Sequence, residues 1–376
     1  MKIPFNRPYL TGKEAHYLYQ AVYSGKISGN GNYTQKCQQF FEARYGFRKT
    51  LLTTSCTDAL EMTAILMNIQ PGDEVIVPSY TFVSTANAYV LRGAKIVFAD
   101  SCSTNPNMDV NTVRDLITEK TKAIVCVHYA GVACDMDALM ELASKHNIFV
   151  VEDAAQAVDS FYKGKPLGGI GHFGTFSFHE TKNIIAGEGG MLVVNAERFV
   201  KRAEIIWEKG TNRAAFFRGE VDKYGWVDMG SSFLPSEIVA AFLFAQLENL
   251  ETIQAKRVWN GEQYRKRLAP LAENGYFELP LVEDYATDNG HMFYIVCRSL
   301  EERSALIDHL KSKGVWAVFH YLSLHLSPFF KEKHDGRVLA NCDRFADRLL
   351  RLPAFYDLKE EEIELVCNEV NDFFMR

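Results

Sequence analysis

Ser177-Phe178-His179-Glu180-Thr181-Lys182-Asn183 closes one apolar run, and Val150-Val151-Glu152-Asp153-Ala154-Ala155-Gln156 closes another that begins at Ile148. Both runs are β-branched or aromatic and end in polar residues. In an α/β fold such runs are buried strands, and side chains just past their ends face the crevice where ligands bind. The pattern therefore predicts that Lys182 and Asp153 share one pocket. Further apolar runs at 50–53, 74–78, 95–100, 123–127 and 191–194 join these two, at 148–151 and 173–178, and bring the strand count to seven. Helical patterns such as 137–146 separate several of them, and this alternation predicts a mostly parallel sheet wound with helices.

A lysine amine condenses with an aldehyde, and an aspartate held against a pyridine nitrogen keeps it protonated, making the ring an electron sink. Taken singly, Lys182 reads as a solvated loop lysine and Asp153 as a helix cap. Together they read as pyridoxal phosphate chemistry. A second feature points the same way. Thr54-Ser55-Cys56-Thr57-Asp58 lies between the strand 50–53 and a helix expected from Ala59, so unpaired N–H groups and the positive helix end converge there. A cofactor phosphate can be held by the backbone of Cys56, Thr57 and Asp58. The Asp58 carboxylate would repel it and is assigned backbone contact or capping only.

The chain resembles the DegT/DnrJ/EryC1/StrS sugar aminotransferases from Ile3-Pro4-Phe5 to Arg351-Leu352-Pro353. Within that family it is similar to the bacterial branch that aminates C4 of dTDP-4-dehydro-6-deoxy-D-glucose, giving dTDP-4-amino-4,6-dideoxy-D-galactose. The strings Tyr80-Thr81-Phe82-Val83-Ser84-Thr85-Ala86-Asn87, His128-Tyr129-Ala130-Gly131-Val132-Ala133-Cys134 and Glu208-Lys209-Gly210-Thr211-Asn212-Arg213 carry that likeness. The resemblance implies pyridoxal phosphate fold type I, with a large cofactor-binding domain (1–250) and a smaller C-terminal α+β domain (251–376). It implies L-glutamate as donor, 2-oxoglutarate as by-product and pyridoxamine phosphate as the form between the half-reactions. It further implies a homodimer and a role in a surface polysaccharide such as lipopolysaccharide or enterobacterial common antigen. Related 3-dehydratases carry histidine at the lysine position, so Lys182 favours transamination. The same fold also serves 3-keto sugars.

The resemblance also distributes roles. Lys182 binds the cofactor aldehyde and moves the proton, Asp153 pairs with the ring nitrogen, and Gln156 reaches the ring hydroxyl. Phe82 and Ala155 flank the ring faces, and Ser177 meets the phosphate. One departure stands out. The family's Gly-x-Asn-aromatic-Arg, whose asparagine reaches the partner's cofactor, is here Gly230-Ser231-Ser232-Phe233-Leu234, which leaves Ser232 for that contact. The likened branch also favours serine there. For the sugar diphosphate, Lys209, Asn212, Arg213 and Arg218 form a cationic and amide cluster, and His320 and His325 add two candidates; taken singly, each also reads as a solvated or structural side chain.

At 376 residues, with 47% apolar and 23% charged residues, a large core is available. The net charge of −6 offers no general basic surface for nucleic acid or an anionic membrane, and no DNA-binding module supports a regulatory protein. The start lacks a signal peptide's apolar core and no stretch matches a membrane span, so the chain is expected in the cytoplasm. Eight cysteines without a Cys-x-x-Cys pair read as reduced thiols, with no metal expected. Residues 24–32 are too rich in glycine for helix or strand; a long helix is expected over 238–266, a strand over 315–321 and a helix over 341–350.

Overall fold

The computed structural model describes residues 2–375; Met1 and Arg376, the outer ends of the two expected domains, lie outside the described residues. In chain order the strands are β1 (Thr50–Thr53), β2 (Glu74–Pro78), β3 (Lys95–Ala99), β4 (Thr121–Val127), β5 (Phe149–Asp153), β6 (Phe161–Tyr162), β7 (Lys165–Pro166), β8 (Phe173–Ser177), β9 (Gly190–Val194), β10 (Phe293–Val296) and β11 (Leu349–Leu352). Seven of them form one sheet in the order β1-β9-β8-β5-β4-β2-β3. β9 runs antiparallel to both neighbours, and the remaining pairs are parallel. This is the mostly parallel seven-stranded α/β sheet expected of fold type I.

Successive strand side chains point to opposite faces, and the core divides accordingly. Leu52, Ile76, Ile124 and Val150 pack with Cys37 and Phe41 of helix Asn32–Tyr45. Leu51, Val75, Val125 and Val151 pack on the other face with Leu60 and Met62 of helix Cys56–Leu66. That second cluster takes in Tyr294, Phe345 and Leu349, so the C-terminal part is seated on the sheet. A third cluster joins Tyr264, Phe293, Leu306, Leu350 and Val366, and Ile3 returns to it by pairing with Val315.

Three expected elements differ. The long helix is two, Glu237–Leu247 and Leu250–Glu273, broken at Asn249, which allows Leu247 and Leu250 both to be buried. The expected strand 315–321 is reduced to isolated bridges at Val315 and Val318, because His320 and Tyr321 turn into the cavity described below. The helix expected over 341–350 is Ala340–Arg348, and Leu349 begins β11, which pairs with β10. Among the described residues no helix is long and apolar enough to cross a membrane. The glycine-rich segment is pinned by Glu237, whose buried carboxylate accepts from the N–H groups of Gly31, Tyr33 and Thr34 and caps helix Asn32–Tyr45 from another element.

Candidate active site

The C-terminal ends of β4, β5 and β8 and the turn after β1 open into one cavity of about 990 Å³. It is lined by Cys56, Thr57, Phe82, Asp153, Ala155, Gln156, Ser177, Lys182 and His320. These positions span more than 250 residues of chain, and strand order alone brings them together.

Asp153 is the last residue of β5 and is buried. One carboxylate oxygen accepts from Thr85 Oγ1 at 2.8 Å and the other from the Ala155 N–H at 3.2 Å. Burial raises its pKa, opposed by those hydrogen bonds and by Lys182. Lys182 follows β8 in a turn closed by its N–H on the His179 carbonyl. Its ammonium forms no ion pair among the described residues, and burial lowers its pKa against the attraction of Cys56 and Asp153. Each group is thus pushed towards its neutral form.

The helix after β1 begins at Cys56, three residues before the expected start, because Ser55 is its cap and accepts from the Asp58 N–H at 3.1 Å. The Asp58 amide is therefore spent on the cap, and its carboxylate bonds Thr54; Asp58 does not line the cavity. The N–H groups of Cys56 and Thr57 have no acceptor among the described residues. Gly190, paired with both Thr53 and Ser177, lies under this turn. A Cβ there would fall 2.2 Å from the Ser55 carbonyl carbon and 2.3 Å from the Cys56 nitrogen. Ser177 Oγ accepts from the His179 N–H, which leaves its own proton free to donate.

Gln156 accepts from the Ala130 N–H at 2.6 Å and donates to the Tyr321 hydroxyl at 3.0 Å, leaving one amide proton for a ligand. Phe82 is 56% exposed and sits 6.3 Å from the Tyr321 ring. His320 bonds the Tyr129 hydroxyl at 2.7 Å and stacks on Tyr321.

The remaining candidates lie elsewhere. His325 is buried and bonds Ser79 Oγ at 2.8 Å, stapling its turn to the end of β2, so it is structural rather than cavity-facing. Arg218 pairs with Glu204 and Glu220, Arg213 lies over Phe217, and Asn212 holds the Gly225 N–H. Lys209 is exposed at a left-handed φ of 65°. Ser232 is exposed and bridges Glu208. None of these lines this chain's own cavity, so the cationic cluster is not assembled there as expected.

Sequence reasoning passed over Thr85, His291, Tyr321 and Arg351, all of which line the cavity. Thr85 lies within Tyr80-Thr81-Phe82-Val83-Ser84-Thr85-Ala86-Asn87, four residues after Thr81, to which its hydroxyl bonds at 2.9 Å. Arg351 interrupts Leu349-Leu350-Arg351-Leu352, and a lone cation in an apolar run was the available signal. On the other sheet face, Cys126, His128 and Cys134 bring possible ligand atoms within 4.8 Å of one another. Both ring nitrogens of His128 are engaged, with Glu152 at 3.0 Å and the Cys134 N–H at 3.2 Å. Glu152 in turn accepts from the N–H groups of Gly168, Ile170 and Gly171, so this trio braces the end of β5.

Residues 8–371 match the DegT/DnrJ/EryC1/StrS aminotransferase family. The chain is 34% identical over 376 residues to GDP-perosamine synthase of Escherichia coli O157:H7, covering 99% of this chain and 98% of that one. Among solved structures it is similar to an aminotransferase from Psychrobacter cryohalolentis (27% identity, TM-score 0.93, 100% and 99% of the two chains covered). It is also similar to a Streptococcus pneumoniae protein solved in its PLP-form (26% identity, TM-score 0.91, 100% and 99% covered).

Proposed function

The chain belongs to the DegT/DnrJ/EryC1/StrS aminotransferase family, and from that premise we propose that it moves an amino group from L-glutamate to C4 of dTDP-4-dehydro-6-deoxy-D-glucose. The products are dTDP-4-amino-4,6-dideoxy-D-galactose and 2-oxoglutarate. The observation that carries the reading is a single cavity holding an ion-pair-free lysine, an oriented buried aspartate and two unpaired N–H groups at a helix start. Those residues fit pyridoxal phosphate. Bound there, it supplies an electron-withdrawing ring that stabilises negative charge on the donor's α-carbon.

The protein's own groups do the rest. Lys182 Nζ, shifted towards the neutral amine, would hold the cofactor through its aldehyde group, with loss of water, and once displaced by the donor amine would be the group placed to carry a proton. Asp153, its two oxygens fixed by Thr85 and Ala155, holds a proton on the pyridine nitrogen. Cys56 and Thr57 N–H with Ser177 Oγ would take the phosphate, Phe82 and Ala155 would flank the ring, and Gln156 would offer its free amide proton to the ring hydroxyl.

The same reading divides the chain near residue 250 into a cofactor-binding part and a small C-terminal part, with Ile3 returning to the latter. It also makes the protein a homodimer. Trp226 is 83% exposed and Tyr224 53%, and Val227 and Met229 are exposed beside them, a composition suited to an interface. Ser232 and the Lys209 to Arg218 segment then serve the partner's cavity. The E. coli relative is named for a GDP-sugar, so the nucleotide is what the test must discriminate. The test is incubation with glutamate and either dTDP-4-dehydro-6-deoxyglucose or its GDP-mannose counterpart, with the product identified by NMR. The reading expects amination at C4 of the dTDP sugar; a 3-amino product, or turnover of the GDP sugar alone, overturns it.

A further inference from the structure

His291 stands just before β10, buried on the wall of the cavity that also holds Lys182. A chain of amides anchored on backbone carbonyls, which only accept, fixes the tautomer of its ring. Gln254 Nε2 donates to the Val158 carbonyl at 3.1 Å, so Gln254 Oε1 is left to accept from Asn183 Nδ2 at 2.8 Å. Asn183 Nδ2 also donates to the Asn289 carbonyl at 2.9 Å, which turns Asn183 Oδ1 towards His291 Nδ1 at 3.0 Å. An amide oxygen cannot donate. Nδ1 therefore carries the ring proton, and Nε2, which has no partner among the described residues, is not its seat.

The surroundings keep the Nε2 lone pair free. Burial, with the cations of Lys182, Arg257 and Arg351, holds His291 well below the usual histidine range. Arg257 is pinned beside it, donating to the Gly290 and His291 carbonyls at 3.1 and 2.8 Å. Lys182 has the complementary deficit: its Nζ has neither a hydrogen-bond partner nor an ion pair among the described residues. The charged and titratable groups around it do not fill that need. Asp153 is held by Thr85 and Ala155 and is assigned to the cofactor ring, burial pushes the Cys56 thiol up and keeps it neutral, and Arg351 repels an ammonium. Glu188 is exposed and lies 3.7 Å from His179. His320 is spent on the Tyr129 hydroxyl, which can both give and take a proton and so leaves that ring's tautomer unset. One open acceptor and one open donor thus face the same cavity, and the flexible four-carbon stem of a lysine can bring them together.

We propose that His291 Nε2 is the acceptor for the Lys182 amine whenever that amine is not joined to the cofactor aldehyde. His291 is a positioning residue, acting through Lys182: it holds Nζ in the cavity and favours a proton on it. The inference rests on the role given to Lys182 in the function proposed above.

The test is trace acetylation of the cofactor-free chain across pH, read by mass spectrometry on the peptide holding Lys182, since only the neutral amine reacts. His291→Phe keeps a ring and loses both nitrogens. It should lower the midpoint of Lys182 labelling on the order of one pH unit, because burial is then less opposed. Surface lysines should keep their midpoints, which reports an intact fold. His291→Asn is the sharper variant, since its amide nitrogen can replace Nδ1 on Asn183 but stops short of the Nε2 position. Its midpoint should fall as far, and it carries the test should His291→Phe fail to fold. A wild-type midpoint in His291→Asn overturns the proposal, because the ring would then serve Asn183 alone. A midpoint that rises in either variant overturns it too, since His291 would then be disfavouring the ammonium. Lowered midpoints in a protein that transfers no amine to any sugar would sink the function proposed above and leave the tie between His291 and Lys182 standing.

Discussion

Lys182 and Asp153 are each shifted towards neutrality by the burial that makes the cavity, and this has a measurable sign. A lysine whose folded pKa is lowered loses its proton in the folded chain before the unfolded chain does. Stability then rises with pH between the folded value and the ordinary 10.5. Denaturant midpoints of apoprotein and its Lys182→Ala variant should therefore converge as pH is raised from 7 towards 10, the wild type gaining. Parallel curves would mean that the Lys182 amine is fully solvated. The same variant should lose more than about 10³-fold in turnover, with no nearby amine to replace Nζ. Retained turnover contradicts the assignment. At this scale Lys182 and Asp153 were legible because each ends an apolar run. Arg351 and Thr85 were not, since their meaning depends on which distant wall they face.

The turn between β1 and the helix Cys56–Leu66 works because an antiparallel strand with no side chain at Gly190 slides beneath it. Gly190→Ala has no space for its Cβ except by lifting the Ser55–Cys56 backbone, which would misaim the two free N–H groups. Pyridoxal phosphate affinity should fall at least about tenfold in a fluorescence titration, with unfolding still cooperative. Unchanged affinity would show that the phosphate is held elsewhere. The seven strands were legible as apolar runs. The hairpin β6 and β7, two residues each, is too short for any periodicity to register. The break at Asn249 carries neither glycine nor proline, so nothing local marked it, and tertiary burial of Leu247 and Leu250 decides it.

In the whole molecule the exposed apolar stretch from Tyr224 to Met229 and the cationic segment from Lys209 to Arg218 lie outside the cavity of their own chain. Their service to a partner's site is the dimer proposal; the apolar composition of 224–229 is visible in the sequence, whereas its exposure appears only once the chain is folded. Obligate interfaces bury roughly 2,000 Å² or more, so mixing tests it directly. A Lys182→Ala chain exchanged with a Ser232→Arg chain should place both lesions in one pocket and restore about half of wild-type activity per heterodimer. No recovery despite demonstrated exchange would mean that each chain builds its site alone. The central claim, that the cavity around Lys182 and Asp153 transfers an amine to a sugar nucleotide, is tested most directly by following the nitrogen atom. With nitrogen-15-labelled L-glutamate and dTDP-4-dehydro-6-deoxyglucose, the wild type should yield a sugar with the label bonded to C4, and Lys182→Ala should yield none. A labelled glutamate pool left intact by the wild type, or equal labelling by both proteins, would contradict it.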